Sequence, residues 1–294
     1  GEETWNRLAV ESDAIYHDAA IVSLVRDYRS MRAVNVLGTR EVLRLAATAR
    51  PKPVHHVSTL AVAPSIAKNP EVHEAFEAAH PELSDGYKQS KWIAERLAEQ
   101  ACERGLPVAV YRLGRVVGAP ETGIVNEQDL VFRLLLAGIP KGTLPDLDVS
   151  ETWTPVDYVA RAIVELSLTG PSRAAVYNLA PAPDVRLKDV FRWVHEYGYA
   201  VETCSVSAFR ARLGSGAGAA ESATLAFFDL QADPGEQPQA FGLGRVRCDN
   251  VIGGLSGSGI DCPAIDRSLV FRYLDHCVET GKLPPPSSRR EGRA

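Results

Sequence analysis

Tyr87 and Lys91 lie four positions apart in Gly86-Tyr87-Lys88-Gln89-Ser90-Lys91-Trp92-Ile93-Ala94-Glu95, a stretch whose pattern predicts the start of a helix. That spacing puts both side chains on one helix face. An ammonium beside a phenol favours the phenolate, so Lys91 is expected to lower the pKa of Tyr87 and make it a proton donor usable near neutral pH. Upstream, Val54-His55-His56-Val57-Ser58-Thr59 reads as a short buried strand ending in two hydroxyls. A hydroxyl at the C-terminal end of a strand, with a Tyr-Lys pair on the following helix, can polarise a carbonyl for hydride attack. The bare Tyr-x-x-x-Lys spacing also describes an ordinary solvated helix face, so the surrounding elements decide its meaning.

Those elements alternate. Asp13 to His17 predicts a strand and Val34 to Ala49 a helix, with Val36, Leu37, Val42, Leu43, Leu45 and Ala46 as its apolar positions. Val54 to Thr59 is the next strand, Tyr87 to Glu103 the next helix, and Gly105 punctuates its end. Leu106 to Arg112 is a third strand closed by Gly114, Thr154 to Leu168 a helix with Pro155 near its first turn, and Ala175 to Leu179 a fourth strand. Strands alternating with helices imply a parallel sheet with helices on both faces. The second half is less regular. Short helices are expected over Leu130 to Ala137, Leu187 to Tyr197 and from Ser207 to Leu213, a strand at Val201 to Cys204, and a final helix within Pro263 to Gly281. Gly214-Ser215-Gly216-Ala217-Gly218 reads as a flexible break, and the Pro284-Pro285-Pro286 tail with its Arg-rich end as a linker or disordered segment.

Composition narrows the classes. The 294 residues are 45% hydrophobic and 23% charged, ordinary for a globular protein, and the net charge of −5 argues against nucleic acid as main partner. No apolar run approaches the roughly 18 residues of a membrane span, and no signal peptide is read. Five widely spaced cysteines without a CxxC pair indicate neither a zinc site nor a disulfide framework, and a reducing cytoplasm is the simplest setting. His55 and His56 read as packed core histidines rather than metal ligands. Glu95, Arg96, Glu99, Glu103 and Arg104 read as a solvated helix face.

Taken in order, His17-Asp18-Ala19-Ala20, Asn35-Val36-Leu37-Gly38-Thr39, Val57-Ser58-Thr59, Tyr87 with Lys91, Arg112-Leu113-Gly114-Arg115-Val116-Val117-Gly118 and Thr154-Pro155-Val156-Asp157-Tyr158-Val159-Ala160 form a succession. It resembles the extended short-chain dehydrogenase/reductase family. More narrowly, it is similar to the terminal thioester reductase domains of nonribosomal peptide and polyketide synthetases, and to those of carboxylic acid and aminoadipate reductases. Gly259 to Asp266, followed by a helix and Leu283-Pro284-Pro285-Pro286, resembles the end of such reductases. The resemblance implies roles. Tyr87 would donate a proton to the substrate oxygen, and Lys91 would tune Tyr87 and bond the nicotinamide ribose. Thr59 would hold the carbonyl oxygen, with Ser58 as second candidate. Asn35 would organise the site, Ala19 and Ala20 would border the cofactor, and Gly114, Arg115 and Val116 would pass near the nicotinamide. Leu113 stands where the family usually has proline, which should alter loop stiffness rather than chemistry.

One departure concerns the N-terminus. Reductases of this fold begin with a strand, a Gly-x-x-Gly-x-x-Gly turn and a helix that hold the cofactor pyrophosphate. Gly1 to Trp5 instead matches the segment before the family's fourth strand, so on the order of a hundred residues of the usual unit are expected to be missing, leaving a first strand that is an unpaired edge. The cluster Gly253 to Gly259 is explained better by a short helix capped by Asn250 and ended by Gly257 or Gly259 than by a phosphate loop. The expected architecture is therefore a Rossmann-type doubly wound parallel α/β sheet, its N-terminal βαβ half absent, with a smaller, mainly helical C-terminal lobe. Residues 1–118 and 152–180 would form the sheet domain, 119–151 and 181–281 the substrate and carrier-protein lobe, and 282–294 a tail. The implied reaction is NADPH-dependent release, as an aldehyde or onward to an alcohol, of an acyl or peptidyl group held on a carrier protein's phosphopantetheine. Another extended short-chain reductase or epimerase, a Dieckmann-type release domain and a non-catalytic carrier-docking fragment are the alternatives.

Overall fold

The computed structural model describes residues 1–23, 25–64, 71–169, 175–214 and 245–286. In chain order it begins with α1 (Glu2–Glu11), β1 (Ile15–His17), α2 (Tyr28–Met31), a π-helical turn (Arg32–Gly38), α3 (Thr39–Ala47), β2 (Val54–Thr59), β3 (Glu71–Val72), α4 (Gly86–Glu103) and β4 (Val108–Leu113). There follow β5 (Arg115–Val117), α5 (Leu130–Gly138), β6 (Thr143–Pro145), β7 (Ser150–Glu151), β8 (Trp153–Pro155), α6 (Val156–Thr169) and β9 (Ala175–Leu179). The last elements are β10 (Val185–Arg186), α7 (Leu187–Tyr197), β11 (Glu202–Cys204), α8 (Val206–Gly214), β12 (Arg245–Val246), α9 (Asp249–Gly254) and α10 (Arg267–Glu279).

The chain divides into two compact units. The first comprises residues 1–114, 158–181 and 243–261. Its centre is a four-stranded parallel sheet in the order β1-β2-β4-β9, so β1 lies at an edge. The register sets His17 opposite His56, Ser58 opposite Arg112 and Thr59 opposite Leu113, which lines up the C-terminal strand ends. On one face Val54, Val108, Val110 and Val176 pack against Ala46 of α3 and Ala98 of α4. On the other, Tyr16, His55, Tyr111 and Tyr177 run across the strands with ring centroids 4.7, 6.0 and 5.3 Å apart, and the Tyr16 hydroxyl meets Ser167 of α6. The central strands β2 and β4 are near-continuous runs of buried residues because both of their faces are covered, whereas Tyr16 on the edge strand β1 is exposed.

The second unit comprises residues 115–157, 182–242 and 262–294. It is held by one apolar cluster drawn mainly from α5, α7 and α10, with Val131, Leu134, Leu144, Leu187, Val194 and Phe209 fully buried. Phe132 meets Tyr273 edge-on at 5.7 Å, and the Tyr273 hydroxyl donates to the Gly118 carbonyl at 2.7 Å.

Several expectations are corrected. Thr154 and Pro155 do not open a helix: Trp153–Pro155 is a strand parallel to Arg115–Val117, and Pro155 ends it, where its missing N–H costs least. The helix expected from Val34 begins instead as the π-helical turn. The last helix does lie within Pro263 to Gly281, and it starts at Arg267 because the Asp266 carboxylate caps it by accepting from Leu269 N at 2.9 Å. Asn250 is not a cap. Its side chain donates to the Val176 carbonyl at 2.9 Å from inside α9, while the Glu74 carboxylate accepts from the Asn250 and Val251 amides. These bonds, together with β12 pairing with β3, place residues 245–261 with the sheet unit rather than the lobe. Residues 115–118 and 152–157 conversely belong to the second unit. Of the glycine-rich break only Gly214 is described, and the Arg-rich end lies outside the described residues. No described helix is long and apolar enough to cross a membrane.

Candidate active site

The Asp85 carboxylate caps α4 by accepting from Lys88 N at 2.9 Å, and this starts the helix with Tyr87 in its first turn. Tyr87 is partly exposed, and its hydroxyl meets the Thr59 side chain at the end of β2. Thr59 also accepts from Ala61 N at 3.2 Å, which fixes its rotamer over the turn that follows the strand. Burial pushes the Tyr87 phenol up to about 12, the Thr59 bond pulls it partly back, and the Asp85 charge adds to the rise. The expected lowering by Lys91 is absent. Lys91, 4% exposed, donates to the Val57 carbonyl at 2.7 Å instead of addressing the phenol. Burial brings its ammonium down to about 8, and Glu95, one turn on, opposes that fall.

The ammonium is felt on the neighbouring strands. His56, 1% exposed, is held well below the ordinary histidine value by burial first, then by Lys91 and His17. His17 shifts the same way for the same first reason, and its Nε2 lies 3.0 Å from the Thr39 hydroxyl. Both imidazoles are therefore neutral beside the lysine. Both His56 ring nitrogens and the Ser58 hydroxyl oxygen are buried without a hydrogen-bond partner among the described residues. Among those residues no cluster of His, Cys, Asp and Glu has the makings of a metal site.

Asn35 lies in the π-helical turn and is 2% exposed. It holds Ile21 by both backbone groups, accepting from its N–H at 2.8 Å and donating to its carbonyl at 3.0 Å. The loop it grips begins with Asp18, Ala19 and Ala20 directly after β1; Ala19 is exposed and Ala20 half-buried. A π-turn at such a place is common at functional sites. Ser58, Thr59, Tyr87, Lys91, Asn35, Ala19, Ala20 and Gly114 thus all sit in the sheet unit, at or next to its C-terminal strand ends. Arg115 and Val116 lie in the other unit. There the Arg115 guanidinium pairs with Glu151 at 2.6 and 2.8 Å and with Asp129, so its side chain is committed to holding α5 and β7.

Glu95 does not lie on a solvated helix face. It is 1% exposed and makes a forked ion pair with the fully buried Arg112, at 2.7 to 3.2 Å. The available signal was its spacing, since it lies on the same helix face as Tyr87 and Lys91, one turn beyond the lysine.

A parallel α/β sheet with a hydroxyl at the end of one strand and, on the next long helix, a tyrosine and a buried lysine four residues later is the arrangement of the short-chain dehydrogenase/reductase class. An NAD-binding family model described as "Male sterility protein" matches residues 1–163. An isonitrile lipopeptide synthase from Streptomyces coeruleorubidus is 54% identical over 283 residues, which is 94% of this chain and 19% of that protein. The crystal structure of the terminal R domain from the myxalamid PKS-NRPS biosynthetic pathway matches with a TM-score of 0.84 at 36% identity, covering 98% of this chain and 73% of that one. A thiolation-reductase di-domain from an archaeal non-ribosomal peptide synthetase shares the fold at a TM-score of 0.74 and 22% identity, over 96% of this chain and 60% of that one. The chain belongs to the family of terminal reductase domains of nonribosomal peptide and polyketide synthetases. It spans less than a fifth of the Streptomyces relative's length.

Proposed function

We propose that this domain releases an acyl or peptidyl chain from a carrier protein's phosphopantetheine thioester by NADPH-dependent reduction to an aldehyde. The observation that carries this reading is the Thr59–Tyr87 contact at the end of β2, with the Lys91 ammonium buried behind it. The carrier as partner is supported by the synthase relative and by the thiolation-reductase di-domain of the same fold.

The residues present suit the nicotinamide end of such a cofactor. Ser58 offers a buried hydroxyl without a partner among the described residues, the small side chains of Ala19 and Ala20 allow close backbone approach, and Lys91 spends one N–H on Val57. When bound, the nicotinamide supplies hydride to the thioester carbonyl carbon. Thr59 and Tyr87 direct their hydroxyls at the carbonyl oxygen, where charge develops. A phenol near 12 is fully protonated at neutral pH and well matched to an alkoxide, so Tyr87 gives up its proton only as that charge forms. Lys91 keeps its remaining N–H groups for the nicotinamide ribose. The neutral histidines add no competing positive charge. Collapse of the thiohemiacetal breaks the carbon–sulfur bond and frees the aldehyde and the pantetheine thiol.

Replacing Tyr87 by Phe tests the assignment. Removing the acid should lower NADPH-dependent reduction of a carrier-bound thioester by about 10²- to 10⁴-fold with the melting temperature retained. Near-normal turnover by a folded Tyr87→Phe protein would end the proton-donor reading.

A further inference from the structure

The residues on either side of the catalytic pair carry a second message. Gly86 opens α4, and a Cβ at that position would stand 2.5 Å from the Arg26 carbonyl oxygen and the Tyr28 nitrogen. Both are backbone atoms at the far end of the loop that leaves β1, so no rotamer change could make room, and the helix or the loop would have to move. Ser90, fully buried one turn later, bridges in the opposite sense. Its hydroxyl accepts from Asn35 Nδ2 at 2.9 Å and donates to the Tyr87 carbonyl at 2.9 Å. Asn35 in turn grips both backbone groups of Ile21. Hydrogen bonds therefore run unbroken from the loop after β1 to the backbone of Tyr87, while the missing Cβ of Gly86 lets the same two segments close on each other.

We propose that Gly86 and Ser90 are positioning residues that fix the Tyr87 phenol relative to the loop after β1, given that Tyr87 is the proton donor proposed above. Neither touches the reacting atoms. They act by distance: a proton donor displaced by about 1 Å loses on the order of 10²-fold in rate. The two devices are complementary, since the glycine removes a steric stop and the serine supplies the tie that holds the approach.

The test is a mutant cycle in the full-length protein, read by NADPH oxidation with a carrier-bound thioester. Gly86→Ala should lower kcat by about 30- to 100-fold while KM for thioester and for NADPH stays within about threefold. On a Tyr87→Phe background the same change should cost less than about threefold more, because the group being aimed is gone. Equal losses on both backgrounds would mean a general structural role and overturn the proposal, as would wild-type kcat in a folded Gly86→Ala protein. If Gly86→Ala melts without cooperativity, Ser90 decides. Ser90→Ala should lower kcat by about tenfold only when Tyr87 is present, and Ser90→Thr, which keeps the hydroxyl, should restore most of it. An unaffected Ser90→Ala enzyme overturns the tie. Near-normal turnover by Tyr87→Phe alone would instead remove the proton donor itself, which separates that failure from failure of the positioning.

Discussion

The two units differ in how many polar side chains they bury. The lobe buries one large apolar cluster with few polar residues in it, chiefly Thr143, Glu151, Thr152 and Thr154. The sheet unit also buries apolar side chains on both sides of its sheet, but with them it buries His17, Asn35, Thr39, Lys52, His55, His56, Ser58, Ser90, Lys91, Glu95, Arg112 and Asn178. Apolar burial is favourable wherever it occurs, whereas a buried charge is tolerable only when paired and hydrogen-bonded. Polar burial concentrated at the strand ends therefore marks where the fold gives up packing stability for chemistry.

The largest test of that contrast is the Arg112–Glu95 pair. Removing one partner leaves a charge stranded in the interior, so Arg112→Ala should destabilise the protein by about 4 kcal/mol in urea unfolding. Replacing both residues with leucine should recover most of the loss, since a buried pair rarely outperforms apolar packing. A double variant as unstable as the single one would show that Arg112 acts mainly through its further contacts with His73 and Glu77. In the lobe, Leu134→Ala should cost about 3 kcal/mol by leaving a cavity. There a second polar substitution should bring no rescue. Finding rescue would erase the distinction between the units.

What was legible in the sequence follows the same divide. Periodic features were readable: β2 ends at Thr59, and α4 runs one residue longer than the expected Tyr87 to Glu103 because Asp85 caps it. Tyr87 and Lys91 could be paired in the sequence because a helix sets positions four apart on one face. The target of Lys91 was not readable, since it depends on which β2 carbonyl comes within reach when α4 docks on the sheet. Glu95 was misread as solvated because its partner is distant in the chain and meets it only through the register of β4. Trp153–Pro155 defeated local reading for the same reason, as its strand exists only by pairing with Arg115–Val117. Asn250 looked like a cap because caps are local, whereas its actual bond reaches across to β9.

The smallest effect is the most specific to the active site, because it concerns a buried charge without a full carboxylate partner. Lys91 is pulled from 10.5 in the unfolded chain to about 8 in the fold, with burial as the first cause. A lowered lysine pKa means that the unfolded chain binds more protons between those two values, so stability contributed by this group rises with pH there. Below about pH 8 the full penalty of burying the ammonium applies, on the order of 3 kcal/mol before its bond to Val57 is counted. Lys91→Met should remove that penalty together with that bond. The variant is expected to be inactive yet about 1 to 2 kcal/mol more stable than wild type at pH 7, with the advantage shrinking by pH 9.5. Urea unfolding at both pH values reads this directly, and stopping below pH 10 avoids the opposite contribution of Tyr87, whose raised pKa favours the fold until the unfolded phenol ionises. A Lys91→Met protein less stable by the same amount at both pH values would mean that the Val57 bond outweighs the buried charge, and that this part of the sheet unit is held as firmly as the lobe.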